Sequence, residues 1–581
     1  MSNRRSFLVK SSAAAAVVSL DAALVACGGG NTAKPSQFTY GIASGDPLAD
    51  RVILWTYAKI PDSTAPVSLT WQVCVDMSFA AGKVISTGTI VADASTGFTC
   101  KVDATGLTAG TTYYYRFVDG AGVSSAVGIT RTLPAANASS VKLAVFSCSL
   151  YSTGYFNVYD AALASDAQYA IHLGDYIYEY GVGGFGDASS TTGRAAPSPA
   201  KDIVTLSDYR ARYAQYRSDP NLQALHAKMP WITVWDDHEF ANNAFVTGAQ
   251  NHSASQGDWT VRKNNAATAY HEWMPIRTDS SNLLKIYRSF DFGGLLSLHM
   301  LDTRIEGRVQ QYGYYGDPAN ADGTAYNYAD YVGGIQTGSD ANRTMISKTQ
   351  LDWLTGRFNA STAPWQILGN QDIMGRMWFP ASVLGAQSAK GATADSVGQA
   401  VGAYITAKAT PAAARSAEQA GLANPLVNPR LPYNLDSWDG YPLQREGILR
   451  TASAMKKNLI AISGDSHNAW FNNLSLLDGT KVGYEFAGSS VTSPGFESVG
   501  LGAFAPFVDG SFVTKSYGSG MGLVDDVNYA DTSRRGYLLL TVTATTVKGD
   551  YVFVDTIGST KYTASTGKSI TVNLDKTVNY A

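Results

Sequence analysis

The chain is poor in thiols. Four cysteines in 581 residues exclude a disulfide-stapled scaffold, so apolar burial must carry the fold. Charge is also sparse, 16% of residues with a net of −3, and no long basic block occurs. Nucleic acid therefore fits poorly as a partner, whereas small phosphorylated compounds, which need only local charge, stay open. No stretch reads as a membrane span: the apolar segment at residues 13–25 is short and interrupted by Asp21. At this length two domains, one of them large, are expected.

Residues 1–27 read as an address and not as fold. Arg4-Arg5-Ser6-Phe7-Leu8 ahead of the apolar segment has the twin-arginine pattern, which implies passage through the twin-arginine export machinery. Leu24-Val25-Ala26-Cys27 is similar to a bacterial lipobox, in which Cys27 becomes a lipidated amino terminus anchored in the membrane. Simple cleavage near Ala26 is the alternative. Residues 28–37 then form a tether, and the expected location is periplasmic or cell-surface. Cys74 and Cys100 fall on predicted strands, as a disulfide or as two separate buried thiols, which leaves Cys148 unpaired.

Residues 38–135 alternate apolar and polar positions between Gly- and Asp-containing turns, predicting an all-β sandwich without catalytic features. From 141 to 555 the grammar changes to strand, loop, helix, and residues 556–581 follow as a carboxyl-terminal strand or tail. Residues 206–229 read as a helix broken at Asp219-Pro220. Ser347-Lys348-Thr349-Gln350 reads as a capping box. Two segments fit neither pattern: the Gly/Ser/Pro-rich residues 181–200, a mobile rim or inert surface, and the Ala-rich residues 381–422, within an insertion at about 380–430, a cap on the site or inert surface.

The apolar runs of the second unit end in residues that bind metals or move protons. These are Cys148, Asp175 with Tyr178, Asp236-Asp237-His238, Asn370-Gln371, and Asp465 with His467. One such Asp alone is an ordinary helix cap or Asx-turn; recurrence at successive strand ends marks the place where open α/β sheets gather their ligands. Thiolate and phenolate suit a transition metal such as Fe3+, and the oxygen-only remainder suits a hard ion such as Ca2+. Asp175 is the natural bridging ligand. His172 and His271 read as core packing.

Phe146-Ser147-Cys148-Ser149, His172-Leu173-Gly174-Asp175-Tyr176-Ile177-Tyr178-Glu179, Trp235-Asp236-Asp237-His238-Glu239, Leu301-Asp302-Thr303-Arg304 and Gly464-Asp465-Ser466-His467 resemble the alkaline phosphatase D family. The resemblance covers nearly the whole chain after the signal. It implies a phospholipase D-like amino-terminal β-sandwich followed by a calcineurin-like αββα metallophosphatase domain, an α+β to α/β architecture overall. It also implies hydrolysis of phosphate monoesters and diesters by metal-bound hydroxide at an Fe3+ and Ca2+ cluster. Carried onto this sequence, Cys148, Asp175, Tyr178 and His467 surround iron, and Asp175, Asp237 and Asp465 hold calcium. The choice between Asp236 and Asp237 stays open. His238 stands as proton donor, and Asn242-Asn243 offer amides to the cluster or the substrate. Arg304 is a bidentate phosphate clamp or a structural ion pair. Two rival functions remain: a phospholipase D-type phosphodiesterase on phospholipids or teichoic-acid-like polymers, and an inert envelope-binding lipoprotein.

Overall fold

The computed structural model describes residues 35–312, 342–389, 391–499, 505–509 and 522–581. The export signal and Cys27 lie outside the described residues.

The amino-terminal strands are β1 (Ile42–Gly45), β2 (Arg51–Tyr57), β3 (Val67–Cys74), β4 (Val84–Ala92), β5 (Thr99–Thr105), β6 (Thr112–Asp119) and β7 (Gly128–Arg131). Next come β8 (Ser140–Phe146), β9 (Tyr169–His172), β10 (Trp231–Thr233), β11 (Arg288–Phe292), β12 (Leu296–Met300), β13 (Trp365–Gly369), β14 (Trp378–Pro380) and β15 (Arg430–Pro432). The carboxyl end supplies β16 (Asn458–Ser463), β17 (Ala469–Ser475), β18 (Lys481–Ala487), β19 (Val527–Asp531), β20 (Arg535–Thr543), β21 (Thr546–Val554), β22 (Ala564–Asn573) and β23 (Val578–Tyr580).

Two large sheets form the second unit. One is ten-stranded, in the order β23-β22-β21-β20-β8-β9-β10-β1-β2-β5; the other is seven-stranded, in the order β11-β12-β13-β16-β18-β17-β19. Strand alternation separates the layers. In β16, Ile460 and Ile462 join the core shared by both sheets, while Leu459 and Ala461 join a second core beneath helices Lys348–Ala360 and Pro442–Ala454. Helices Asn157–Leu163 and Pro220–Lys228 pack on the ten-stranded sheet. The result is the expected αββα arrangement.

The sandwich is also present, its sheets closing over Val52, Leu54, Leu69, Val73, Tyr115 and Phe117. Its edge is not a hydrogen-bonding boundary, however. β1 pairs in parallel with β10, Gly45 opposite Trp231, so one sandwich sheet continues into the sheet that carries the site. A Cβ at Gly45 would stand 2.6 Å from the Trp231 carbonyl oxygen, which only glycine avoids. Cys74 and Cys100 lie on β3 and β5 in different sheets, both as buried free thiols, so the disulfide alternative falls.

Local signals act as their chemistry dictates. Helix Leu206–Arg217 ends before Asp219, whose carboxylate accepts from Asn221 and Leu222 backbone N–H groups and starts helix Pro220–Lys228 with proline in its first turn. The Ser347 box is only half formed. Ser347 caps Gln350, but the Gln350 amide turns away to clasp the Asp302 backbone, accepting at 2.8 Å and donating at 2.9 Å. The Ala-rich insertion folds as helices Ala381–Ser388, Ala394–Ala409 and Ala417–Ala423 and packs through Val383, Leu384, Val397 and Val401 onto Phe379 and Trp470. Among the described residues no helix is long and apolar enough to cross a membrane.

Candidate metal centre

Parallel pairing of β8, β9 and β10 delivers three strand ends side by side, and β16 of the facing sheet adds a fourth. At these ends the backbone leaves the extended region. Cys148, Asp175, Asp465 and His467 all have positive φ, from 55° to 61°, a conformation that costs roughly 1–3 kcal/mol at each non-glycine residue. Such strain persists only where the surroundings enforce it. Gly174 shows one enforcement: a Cβ there would lie 2.3 Å from the Asp236 Cβ, so the two loops touch. Glu239 supplies another, accepting the backbone N–H groups of Asp175, Tyr176 and Asp236 at 3.0, 2.5 and 2.7 Å.

Two ligand-type groups converge on one carboxylate. Sγ of Cys148, a carboxylate oxygen of Asp175 and a ring nitrogen of His467 lie within 4.8 Å of one another, as do atoms of Asp175, Asp237 and His238. Tyr178 donates to Asp175 Oδ2 at 2.9 Å and stands 3.2 Å from His467 Nε2. His467 Nδ1 lies 2.7 Å from the Pro494 carbonyl oxygen; it therefore carries the proton, and Nε2 offers its lone pair inward. Asp175 Oδ1 and Asp237 Oδ1 are buried without a hydrogen-bond partner, an arrangement that costs free energy unless a cation satisfies them. Burial and the Asp175 charge push the Cys148 thiol and the Tyr178 phenol well above their ordinary ranges. Burial, with Asp372, Asp436 and Asp237 nearby, does the same to Asp465. The donor set and its surplus of negative charge fit a two-cation site.

Residues 143–551 match the family described as PhoD-like phosphatase, and residues 23–134 match the PhoD-like phosphatase N-terminal domain. This chain belongs to the PhoD-like phosphatase family. It is 34% identical over 476 residues to alkaline phosphatase D of Bacillus subtilis (strain 168), covering 79% of this chain and 70% of that protein. A solved structure of PhoD superposes with a TM-score of 0.72 at 30% identity, over 94% of this chain and 92% of that one. As a PhoD-like phosphatase the chain is a phosphoric ester hydrolase.

Within this PhoD-like site the two adjacent aspartates part company. Asp236 turns inward to Arg304 Nε at 2.5 Å, whereas Asp237 lines the cleft. Arg304 is not positioned to clamp a substrate phosphate. It is fully buried, and its nitrogens are taken by Asp236, Asp372, Asp436 and Asp465 at 2.5–2.9 Å, which leaves no face for a ligand. Its hold on Asp465 Oδ1 orients that residue toward the cleft. Asn242 and Asn243 do line the cleft, with both side-chain amides on Gln250. Asn370 and Gln371 are buried structural residues, Gln371 bonding the backbones of Trp235 and Leu301. His172 lies in the core beside Ser149 and Tyr159, and His271 bonds Thr278 and the Leu283 carbonyl.

Three functional features escaped the sequence reading. Glu179 binds His238 Nδ1 at 2.7 Å; its place one residue beyond Tyr178 was the available signal. Ser493, donating to the Tyr178 oxygen at 2.6 Å, arrives from 315 residues away in sequence, and Pro494, which meets His467, from 27; no local pattern announces either. The third is the aromatic lining of the cleft, which includes Tyr180, Phe185, Tyr433 and Phe496.

Proposed function

We propose that the chain is an alkaline phosphatase acting on phosphate monoesters and diesters at an Fe3+ and Ca2+ centre. It would be exported by the twin-arginine route and held at the membrane through lipid on Cys27. The observation that carries the catalytic part is Asp175, shared by two ligand-type groups, with its Oδ1 and that of Asp237 open. Cys148, Asp175, Tyr178 and His467 would hold iron; Asp175, Asp237 and Asp465 would hold calcium. Bound cations supply neutralisation of the phosphoryl oxygens and acidification of the attacking water.

The chain's own residues supply the rest. His238 lines the cleft with Nδ1 on Glu179, so Nε2 is the atom free to give a proton to the leaving alkoxide or a hydrogen bond to the phosphoryl group. Burial opposes its charge, but Asp237, Asp175 and Glu179 together raise its pKa well above the ordinary histidine value. The export reading rests on Arg4-Arg5 and on Leu24-Val25-Ala26-Cys27.

Metal analysis of the exported protein beside hydrolysis of 4-nitrophenyl phosphate and its bis-ester tests the catalytic reading. Iron and calcium with turnover of either ester support it, and the two rates rank monoester against diester. Metal-free protein that stays inactive after both ions are restored overturns it. Membrane fractionation of Cys27→Ser tests the anchor: unchanged partitioning removes the lipid.

A further inference from the structure

The cleft has a volume of about 310 Å3, and no lysine or arginine stands among its described lining residues. A tetrahedral phosphoryl group seated over Asp175 turns at least one oxygen toward the cleft wall. Beyond His238, that oxygen depends on neutral N–H or O–H donors. The hydroxyl groups of the wall are already engaged, with one exception among the described residues. Ser437 Oγ donates to the Asn434 carbonyl oxygen at 2.8 Å, Ser498 Oγ to that of Gly495 at 2.7 Å, and Ser466 Oγ to that of Asn468 at 3.5 Å. The Tyr433 hydroxyl pairs with the Gln387 amide. Asn242 and Asn243 each give an amide hydrogen to Gln250. The exception is Tyr180, which lines the cleft and whose hydroxyl has no hydrogen-bond partner.

Tyr180 is held in place on several sides. Its ring is centred 5.4 Å from that of His238 and 6.1 Å from that of Phe185. Its carbonyl oxygen accepts from Nη1 of the buried Arg212 at 2.9 Å. The charges of Glu179, Asp237 and Asp175 act on its hydroxyl as they do on His238, so phenol and imidazole share one neighbourhood. Resting on the phosphatase reading above, we propose that Tyr180 is a further catalytic residue: its hydroxyl donates a hydrogen bond to a non-bridging oxygen of the substrate phosphoryl group, beside His238. Glu179, the preceding residue, holds His238 Nδ1 at 2.7 Å, so one short segment positions both donors. A donor fixed before the substrate arrives needs no reorganisation when the phosphoryl group is transferred.

Tyr180→Phe tests this, because it removes the hydroxyl and keeps the ring. In metal-restored protein, kcat/KM for 4-nitrophenyl phosphate should fall roughly 10–100-fold. Calorimetric binding of inorganic phosphate should weaken roughly tenfold. Metal content and melting temperature should stay at the values of the unaltered chain, which a merely structural role for the hydroxyl would not allow. Unchanged phosphate affinity and unchanged kcat/KM in the variant overturn the role of Tyr180 and leave the phosphatase reading standing. Loss of metal from the variant also overturns it, by making the hydroxyl a support of the metal centre. An unaltered chain that neither hydrolyses the ester nor binds phosphate after both ions are restored overturns both readings.

Discussion

Glu179 Oε2 lies 2.7 Å from His238 Nδ1, and the other oxygen of the same carboxylate accepts from the Asn242 backbone at 2.7 Å and the Asn251 amide at 2.8 Å. The carboxylate has no freedom to rotate, so the imidazole has none either. Against burial, the His238 charge and these donors hold the Glu179 carboxyl below its usual range.

His238→Ala should therefore lower kcat by about 10^2–10^4 with metal content retained. Glu179→Gln should cost about 10–100-fold and move the alkaline limb of the pH–rate profile to lower pH. The sign follows from the proton: a general acid works below its pKa, and removing the carboxylate that sits on Nδ1 lowers that pKa. A profile that does not move would reduce Glu179 to packing.

Asp237→Ala should lose metal, whereas Asp236→Asn should keep metal and lower the melting temperature, because Asp236 serves Arg304 and not the cleft. Elemental analysis beside calorimetry separates the two. The reverse pattern would exchange their roles.

Arg304→Met should destabilise the fold by about 3–5 kcal/mol, since it strands three buried carboxylates, Asp236, Asp372 and Asp436, beside the half-buried Asp465. Arg304→Lys should rescue little, because one ammonium lacks the planar fork that reaches them all. Denaturant unfolding measures both. A variant of normal stability with only KM raised would restore the phosphate-clamp reading.

Acid should weaken the fold partly through His299. Its ring lies 2.7 Å from Ser289 Oγ and 3.0 Å from Gln366 Oε1. The Gln366 amide nitrogen donates elsewhere, to Ser361 and Ala363, so Gln366 Oε1 accepts and the neutral Nε2–H tautomer fits. Burial pushes the pKa down to about 4. The unfolded chain then binds a proton that the native state refuses, so this stability is present above about pH 6.5. It fades as pH falls toward 4, by about 1.4 kcal/mol per pH unit. His299→Gln should flatten the fall in melting temperature over that window; an unchanged slope would assign the acid lability to other groups.

Purified without reductant and then denatured, Cys74, Cys100 and Cys148 should all titrate as thiols. Two fewer would mean a bond between Cys74 and Cys100.

The layers and strand ends were legible because they rest on local chemistry. An apolar run such as residues 459–462 closing on Gly464-Asp465 announces both a buried strand and a turn that gathers ligands. Asp219-Pro220 announced its helix break in the same way. The partners that give each side chain its role were not legible, because they come from distant segments. Arg304 reads as a clamp until Asp236, Asp372, Asp436 and Asp465 are seen around it. The Gln350 amide serves Asp302, 48 residues away, and not its own helix. The union of β1 with β10 rests on a single registered pair, Gly45 and Trp231, too little to mark a sequence.

β8, which leads to Cys148, takes its antiparallel neighbour from β20, with Leu538 opposite Val145. Those residues leave the ribosome at nearly opposite times. Until β20 is synthesised, β8 presents a bare, sticky edge directly beneath the candidate metal centre, and closing so long a loop is slow. Assembly of the catalytic centre is thus a post-synthetic event. A stop placed before β20 would leave a long chain that aggregates with its strand-end site unformed.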